Sequence, residues 1–268
     1  MDLTTELGFA RELALVGGRI ALDHQQRRLH RQRKDDGTWV TEADWKVEAQ
    51  LRLRIARTFP DHNVLGEEEG LTAAGGGEAV PGAPTWVLDP IDGTNNFMAR
   101  IPIWGTLVGL RIQDRAVVGV CSLPALNETY DAATGMGARL NGRAVEVDAA
   151  SDLGEATVAY AGAKWFHEAG LAGFFDEVVS RSWRSRGFGD CWGHMLVARG
   201  AVQVMIEPGL RVWDYCALEP IVTEAGGRMT RLDGGELQDG GSVLTTNGAL
   251  HDELVRLAKA TTPKWVDV

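Results

Sequence analysis

Residues 86–97 read WVLDPIDGTNNF, and this stretch decides the fold of the chain around it. Its first three residues form a short apolar run typical of a buried strand. Pro90 fixes one backbone φ angle and Gly93 permits conformations closed to other residues, so the chain can leave the strand in a tight bend. Side chains three positions apart on a straight strand face opposite sides, but this bend lets Asp89 and Asp92 point to one place.

Oxygen atoms gathered in this way indicate a Mg²⁺ site, because that ion prefers carboxylate and carbonyl ligands. The carbonyl of Ile91 lies between the two aspartates in the sequence and can join them. Thr94 is predicted to begin a helix, so the N–H groups near Gly93 and Thr94 would be unpaired and available to a phosphate. The alternative is an Asp-rich turn that only caps a helix.

Two distant acidic segments count against that alternative: residues 66–69 (GEEE) and residues 212–217 (VWDYCA). Each has a plain structural explanation alone, since a run of glutamates is usually a solvated turn and an aspartate at a helix start is usually an N-cap. Together with the bend they supply further carboxylates. A site for two or three Mg²⁺ ions needs several, because neighbouring ions lie only roughly 3.5–4 Å apart.

The remaining sequence predicts alternating strands and helices. Hydrophobic periodicity predicts helices over residues 3–26, 42–59, 165–179, 190–198, 214–225 and 249–259. Strands are predicted over residues 63–70, 86–88, 106–112, 116–123, 128–132, 156–161, 182–188, 202–206, 228–231 and 243–245, with a turn-rich strand region at 135–143. A turn is predicted at 35–37 and a surface loop at 72–84. The alternation after Asp152 indicates α/β layering.

Composition narrows the functional classes. The formal net charge of the 268 residues is −10, which argues against nucleic acid or an anionic membrane as a partner. No apolar run approaches the ~20 residues of a membrane span, and the acidic N-terminus is unlike a signal peptide. Cys121, Cys191 and Cys216 fit neither a zinc ribbon nor a redox pair, so we expect reduced thiols in a cytoplasmic protein.

Taken in order, the acidic blocks resemble the inositol monophosphatase superfamily. The match covers most of the chain, and its blocks are residues 41–44 (TEAD), 66–68 (GEE), 86–97 and 213–227 (WDYCALEPIVTEAGG). The resemblance implies the α/β class with an α+β N-terminal half, arranged as a layered αβαβα sandwich. It also implies an N-terminal part over residues 1–150, a C-terminal part over 151–268 that packs with it as one unit, and a homodimer.

The resemblance implies roles for residues by position. The matched metal ligands are Glu67, Asp89, the Ile91 carbonyl, Asp92 and Asp214. Gly93 and Thr94 match the turn that contacts phosphate. Asp44 matches the acid that orients the attacking water with Thr94, so the implied catalytic set is Asp44, Glu67, Asp92 and Thr94, with Glu68 placed just behind the ligands. The metal would be Mg²⁺, two or three ions per site, with Mn²⁺ as the alternative; such an ion lowers the pKa of a bound water.

The alcohol part of the substrate depends on the C-terminal half. Residues 184–192 read RSRGFGDCW, which resembles the histidinol-phosphate phosphatases of the same superfamily. Arg186, Asp190 and Trp192 are therefore predicted to bind substrate, together with Gly93 and Thr94. Glu207, seven residues before Asp214, stands where the resemblance implies the hydroxyl-binding glutamate of the inositol enzymes, so it too is predicted to bind substrate. Carboxylates suit the ammonium and imidazole of histidinol phosphate, and an imidazole can lie against Trp192.

Other interpretations of these residues stay open. Asp190 can simply cap the helix that follows it, and His194, one turn later, is expected to be structural. The same machinery also serves an inositol 1-phosphate or broad sugar-phosphate phosphatase. Fructose bisphosphate and phosphoadenosine phosphate would call for a more basic pocket. A non-catalytic regulatory relative has no need to retain the complete set of acids.

Overall fold

A computed structural model describes residues 2–27, 29–34 and 37–262. The turn predicted at residues 35–37 falls mainly on Asp35 and Asp36, which lie outside the described residues. The helices are α1 (Thr4–Gln25), α2 (Glu42–Thr58), α3 (Thr94–Ala99), α4 (Ala163–Glu168), α5 (Ala172–Arg181), α6 (Asp190–Ala198), α7 (Val212–Tyr215), α8 (Leu218–Glu224) and α9 (His251–Thr261).

The strands form a hairpin and two larger sheets. They are β1 (Arg31–Arg33), β2 (Trp39–Thr41), β3 (Asn63–Gly66), β4 (Gly70–Ala73), β5 (Thr85–Asp92), β6 (Gly105–Ile112), β7 (Arg115–Leu123), β8 (Glu128–Ala133), β9 (Ala138–Leu140), β10 (Arg143–Ala144), β11 (Thr157–Tyr160), β12 (Arg184–Arg186), β13 (Val204–Leu210), β14 (Arg228–Arg231) and β15 (Gly241–Thr246). β1 pairs with β2 as an antiparallel hairpin.

The first larger sheet has the order β10-β9-β8-β7-β6-β5-β3-β4, and the second has the order β12-β11-β13-β15-β14. Both are mixed: β3 is parallel to β5, and β11 is parallel to β12 and β13. The first sheet ends at Ala144 and the second begins at Thr157, either side of the division predicted near residue 150. That division into two parts stays a prediction.

Hydrophobic clusters stack the elements into layers. One cluster packs α1 and α2 on the first sheet, and a second packs α6 and α8 on the opposite face of the same sheet. A third packs α5 and α9 on the outer face of the second sheet, while α6 also packs against its inner face. Because each sheet buries both faces, the order of layers is αβαβα, and the α/β sandwich predicted from the sequence is confirmed.

The apolar residues 86–88 of β5 show why this segment forms a central strand. Trp86 and Leu88 belong to the cluster under α1 and α2, whereas Val87 belongs to the cluster under α6 and α8. Successive side chains of a strand point to opposite faces, so an uninterrupted apolar run is what a strand with two covered faces requires. The aspartates that follow are thereby held at the end of the most buried strand of the sheet.

Several predicted boundaries were wrong. The strand predicted over 63–70 ends at Gly66, and β4 occupies the start of the predicted 72–84 loop. The helix predicted over 165–179 is divided into α4 and α5 at Gly170, whose φ of +70° suits glycine and breaks a helix. The helix predicted over 214–225 is also divided, into α7 and α8.

None of the helices in the described ranges is both long enough and apolar enough to cross a bilayer. In the same ranges Cys121, Cys191 and Cys216 are buried and carry free thiols.

Candidate metal and phosphate site

The two aspartates of β5 are brought together by a break in strand register. β5 continues to Asp92 instead of ending at Leu88 as predicted, and its pairing with β6 shifts between Asp89 and Asp92. Thr106 donates a hydrogen bond from its hydroxyl to the Pro90 carbonyl inside the break, at 2.8 Å. An extra residue in one strand changes which side chains share a face, so the predicted bend is achieved by a bulge within the strand.

Gly93 turns the chain from β5 into α3. Its φ is +82°, a left-handed conformation that side chains disfavour, and α3 then begins at Thr94 as predicted. The Thr94 hydroxyl donates to the Ile91 carbonyl at 3.0 Å, and the Ile91 N–H donates to Asp89 Oδ1 at 3.0 Å. These bonds fix the Ile91 carbonyl and one Asp89 oxygen on the inside of the turn.

Asp214 completes a cluster with Asp89 and Asp92. Oxygen atoms of the three carboxylates lie within 4.8 Å of one another. Asp214 lies in the first turn of α7, and its Oδ2 accepts the Arg211 N–H at 2.7 Å. Asp92 Oδ2 accepts the Cys191 N–H at 2.7 Å. Each carboxylate is held by a backbone amide through one oxygen, which leaves the other for a ligand.

The electrostatics of this cluster fit a cation. Burial, and then the nearby charges of Glu67, Asp92 and Asp214, raise the pKa of Asp89 well above its ordinary value. Burial raises the pKa of Asp92 to about 7, against the Cys191 hydrogen bonds, and burial and Asp92 raise the pKa of Asp214. Buried carboxylates this close repel one another unless a proton or a cation lies between them. Hard oxygen donors in this arrangement suit a divalent ion such as Mg²⁺.

Glu67 and Glu68 form a second acidic edge of the site and are paired with Lys34. The Lys34 ammonium donates to Glu67 Oε1 at 2.8 Å and to Glu68 Oε1 at 2.7 Å. Burial raises the pKa of Glu68 to about 7 although the ammonium opposes this, and the two glutamates raise the pKa of Lys34 although burial opposes that. Lys34 follows β1 directly, and no pattern in the sequence predicted that it would lie here.

A buried glutamate supports this acidic turn from behind. Glu48 on α2 accepts the backbone N–H groups of Glu68 at 2.9 Å and Glu69 at 3.0 Å, and it accepts a third hydrogen bond from Arg52 Nε at 2.8 Å. A Cβ atom at Gly66 would lie 2.1 Å from Glu48 Oε1, so the glycine makes room for this carboxylate. Sequence reasoning missed Glu48 and Arg52, although their spacing of four residues on a helix was a usable signal.

Asp44 lies behind the acidic turn and not on the cavity wall. It forms a capping box with Thr41: Asp44 Oδ2 accepts the Thr41 N–H at 2.8 Å and the Thr41 hydroxyl at 2.6 Å. Its Oδ1 is buried and has no hydrogen-bond partner within the described ranges. Burial raises the pKa of Asp44 to about 6, and Glu67 adds to that rise. The second oxygen is therefore available to a group entering the site.

A cavity of about 550 Å³ opens over these groups. The predicted site residues on its wall are Glu67, Asp89, Ile91, Asp92, Gly93, Thr94, Asp190 and Asp214. The wall also contains residues that sequence reasoning missed: Arg33, Thr38 and Trp39 of the hairpin, Asn95, and Lys164, Trp165 and Glu168 of α4. A substrate in this cavity therefore meets a carboxylate floor and a wall that carries cations and two indoles.

Asp190 reaches the cavity from an unusual backbone conformation. Its φ is +56°, which is uncommon for a residue other than glycine. No side-chain hydrogen bond caps α6 among the described residues; Asp190 Oδ2 instead accepts the Asn96 amide at 2.8 Å. The capping alternative is therefore wrong. Asp190 Oδ2 lies 3.2 Å from where a Cβ of Gly93 would be, and burial, followed by Asp92, raises the pKa of Asp190 to about 7.

Glu207 is buried close to Asp190. Its Oε2 lies 3.2 Å from His194 Nε2, and burial and then the Asp190 charge raise its pKa well above the ordinary value. His194 Nδ1 shares a 2.8 Å hydrogen bond with the Thr245 hydroxyl, and burial lowers the pKa of His194 to about 3. This neutral, fully buried histidine has the structural surroundings expected for it.

Arg186 and Trp192 are placed away from the cavity. Arg186 is exposed, and its guanidinium donates to the Ser185 carbonyl at 2.7 Å. Trp192 packs edge-on against Phe188, with ring centroids 5.1 Å apart. Within the described residues, neither of them nor Glu207 contributes to the cavity wall. Their predicted contacts with substrate stay predictions.

Comparison with known proteins gives a consistent result. The model of the inositol monophosphatase family matches residues 2–262. The histidinol-phosphatase of Mycobacterium tuberculosis is 40% identical over 227 residues, 83% of this chain and 85% of that protein. The histidinol-phosphatase of Chlorobaculum parvum is 35% identical over 94% of this chain and 96% of that protein. The solved inositol monophosphatase of Anabaena superposes with a TM-score of 0.85 at 29% identity, covering 98% of both chains.

Proposed function

The chain belongs to the inositol monophosphatase family, and from that premise we propose that it hydrolyses histidinol phosphate to histidinol and phosphate. The observation that carries the proposal is Asp190, a partly buried carboxylate on the cavity wall beside the phosphate turn. An alcohol that bears an ammonium group needs a negative partner there, whereas a cyclitol needs neutral hydroxyl partners. The histidinol-phosphatases among its relatives support this choice.

The enzyme is a phosphatase of a metal-dependent family, and we assign Mg²⁺ to it, in two or three sites, with Mn²⁺ as a substitute. Glu67, Asp89, Asp92, Asp214 and the Ile91 carbonyl would hold these ions. The ions supply charge neutralisation for the phosphate and acidify a bound water. The carboxylate cluster fits this role, because its raised pKa values report negative charge without a compensating partner.

The chain's own residues position the phosphate and accept the proton. The N–H groups at Gly93 and Thr94 open α3 and bind phosphate oxygens. Asp44 has a buried oxygen without a partner among the described residues and a pKa of about 6, which suits a base that works near neutral pH. The Thr94 hydroxyl, already anchored on the Ile91 carbonyl, orients the water for attack. Phosphoryl transfer depends mainly on such positioning and on electrostatic stabilisation.

On the alcohol side, Asp190 pairs with the ammonium group of histidinol. Glu207 lies close enough to Asp190 for that charge to raise its pKa, and we assign it to the same substrate-binding set. Arg186 and Trp192 complete the proposed substrate set. The family premise further leads us to propose a homodimer and a cytoplasmic location.

The test is a comparison of kcat/KM on histidinol phosphate and inositol 1-phosphate at saturating Mg²⁺. We expect a preference for histidinol phosphate. Asp190→Asn should lower kcat/KM on histidinol phosphate by about 10- to 100-fold, because a charge-assisted hydrogen bond is lost. Its kcat/KM on inositol 1-phosphate should change little. A wild-type enzyme that prefers inositol 1-phosphate would establish the alternative, a cyclitol phosphatase.

A further inference from the structure

Helix α4 contributes Lys164, Trp165 and Glu168 to a cavity whose other walls hold the phosphate machinery. We propose that α4 is the wall that recognises the aromatic ring of the substrate's alcohol, with Trp165 as the stacking surface and Glu168 as the acceptor for a ring N–H. This inference rests on the proposed function and adds to it the residues that select an imidazole. Trp192, the aromatic partner expected from the sequence, lies off the cavity wall among the described residues.

A chain of close contacts links α4 to the phosphate turn. Gly93 adjoins the Asp190 carboxylate, since a Cβ atom added to this glycine would lie 3.2 Å from Oδ2. Gly189, the residue before Asp190, lies against Ala161, because a Cβ atom added there would lie 3.1 Å from the Ala161 Cα. α4 begins two residues after Ala161. A substrate whose phosphate lies at Gly93 and whose ammonium lies at Asp190 therefore extends its remaining group toward α4.

Trp165 has one covered face and an exposed remainder. A Cβ atom at Gly162 would lie 3.4 to 3.6 Å from three carbons of the indole, so the ring packs on the Gly162 backbone. The residue is nevertheless 42% exposed, so part of the indole remains open. An indole fixed on one side and open to a cavity on the other is suited to stacking against a planar ring.

Glu168 lies one turn after Trp165, so both side chains project from the same face of α4. Its carboxylate pairs with Lys164 at 2.8 Å, and the side chains of Glu168 and Lys164 are 54% and 81% exposed. An ion pair this exposed contributes little to stability, so exchanging the ammonium for a ligand N–H costs little. Glu168 can therefore turn and accept a hydrogen bond from the N–H of an imidazole ring that stacks on Trp165.

This wall acts on selectivity and not on the chemical step. The carboxylates and the phosphate turn lie on β5, α3 and α7, whereas α4 contributes only groups distant from them in sequence. A phosphate ester whose alcohol lacks an aromatic ring has nothing to stack on Trp165. Removal of the indole should therefore affect ring-bearing esters alone, and chiefly through KM.

The experiment compares Trp165→Ala, Trp165→Phe and Glu168→Gln with Trp183→Ala, which removes an indole that is 64% exposed elsewhere. Kinetics are measured on histidinol phosphate and on glycerol 2-phosphate, and histidinol binding is measured by calorimetry. We expect Trp165→Ala to raise KM for histidinol phosphate about tenfold and to weaken histidinol binding equally. The kinetics of Trp165→Ala on glycerol 2-phosphate should be unchanged. Trp165→Phe should retain most of the affinity for histidinol, and Glu168→Gln should lower that affinity severalfold.

Equal losses on both esters, or no loss on either, would overturn the role of α4. A loss with Trp183→Ala as large as that with Trp165→Ala would overturn it as well. Wild-type enzyme that prefers inositol 1-phosphate to histidinol phosphate would overturn the proposed function and this inference together. Wild-type preference for histidinol phosphate with unaltered Trp165→Ala kinetics would overturn the inference alone.

Discussion

The floor and the α4 wall of one cavity are built on opposite principles. The floor carries Asp89 and Asp92, which are buried, and Asp214, which is partly buried, and each accepts a backbone amide. The α4 wall carries Trp165 and Glu168, which are both exposed, with Glu168 in a surface ion pair. Groups that must stabilise a developing charge need fixed positions, because reorganising them during the reaction would cost free energy. Groups that choose an alcohol need only a complementary surface.

Asp190 lies between these two regions and shares features of both. It is partly buried and hydrogen-bonded like the floor, yet its backbone is left-handed and it lies on the cavity wall. Strained backbone persists only where the surroundings hold it in place, and it is concentrated at functional sites. The difference between floor and wall therefore predicts the size of the effect of each substitution, from loss of turnover to a small change in stability.

The largest effect is expected from the floor. Asp89→Asn should lower kcat by at least about 10²–10³-fold on every substrate, because it removes a carboxylate assigned to hold the metal ions against the phosphate. The fold should survive, and without metal the melting temperature should rise, because the buried like charges are relieved. Turnover assays and thermal melts in chelator would measure both. Asp61→Asn, at an exposed position, is the matched control. Retained turnover in Asp89→Asn would contradict the metal assignment.

The support beneath the floor should give the next largest effect. Glu48→Gln weakens the hydrogen bonds to the Glu68 and Glu69 amides and so loosens the turn that presents Glu67. We expect Mg²⁺ affinity to fall by about 10- to 100-fold, as is usual when a residue that orients a metal ligand is changed. Isothermal titration with Mg²⁺ measures this directly. Glu12→Gln, which alters an exposed ion pair with Arg54, should leave the affinity unchanged.

The floor was predictable from the sequence and the α4 wall was not. Asp89, Ile91 and Asp92 stand in one short segment, where Pro90 and Gly93 restrict the backbone enough to reveal its geometry. Glu67 and Asp214 are distant, but each stands in a local pattern of its own. Local patterns of this kind are the part of a structure that sequence reasoning reaches best.

α4 has no such pattern. Trp165 and Glu168 fit an ordinary amphipathic helix, and only the packing of β11 against the Gly189 segment brings them to the cavity. Lys34 is similar, since its partners Glu67 and Glu68 are brought near by the fold of the hairpin. The layer order was predictable from strand and helix alternation, whereas the breaks at Gly170 and before α8 depend on local geometry that the hydrophobic pattern does not encode.

A smaller effect should appear in the pH dependence of the metal-free protein. The pKa values of Asp89, Asp92 and Asp214 are raised in the folded state, so the folded protein binds more protons than the unfolded chain above pH 4. Their contribution to stability is therefore greatest at low pH; that of Asp92 is lost as the pH rises through about 7, and those of Asp89 and Asp214 are lost as the pH rises through their own raised pKa values. His194 and His251 act oppositely below pH 6.5, since burial lowers their pKa values to about 3 and about 4.

Thermal melts from pH 6.5 to 8.5 lie above the histidine range, and comparing chelator with Mg²⁺ separates the carboxylates from the buried thiols of Cys191 and Cys216, whose raised pKa values contribute equally to both series. In chelator we expect the melting temperature to fall by several degrees across this range, and in Mg²⁺ we expect little change, because the ion replaces the protons. Asp89→Asn should make the melting temperature in chelator fall less steeply with pH. A fall of the same size with and without Mg²⁺ would argue against a cation at this cluster.

The smallest expected effect concerns Asp190, where floor and wall meet. Asp190→Gly and Asp190→Ala both remove the carboxylate, so both should lose the preference for histidinol phosphate. Only glycine relieves the left-handed backbone, so it should be the more stable of the two by about 1 kcal/mol. For a chain of this size that corresponds to roughly 2–4 °C in melting temperature. Equal stability of the two variants would mean that the conformation relaxes without the carboxylate, and that the hydrogen bond from the Asn96 amide to the Asp190 carboxylate imposes it.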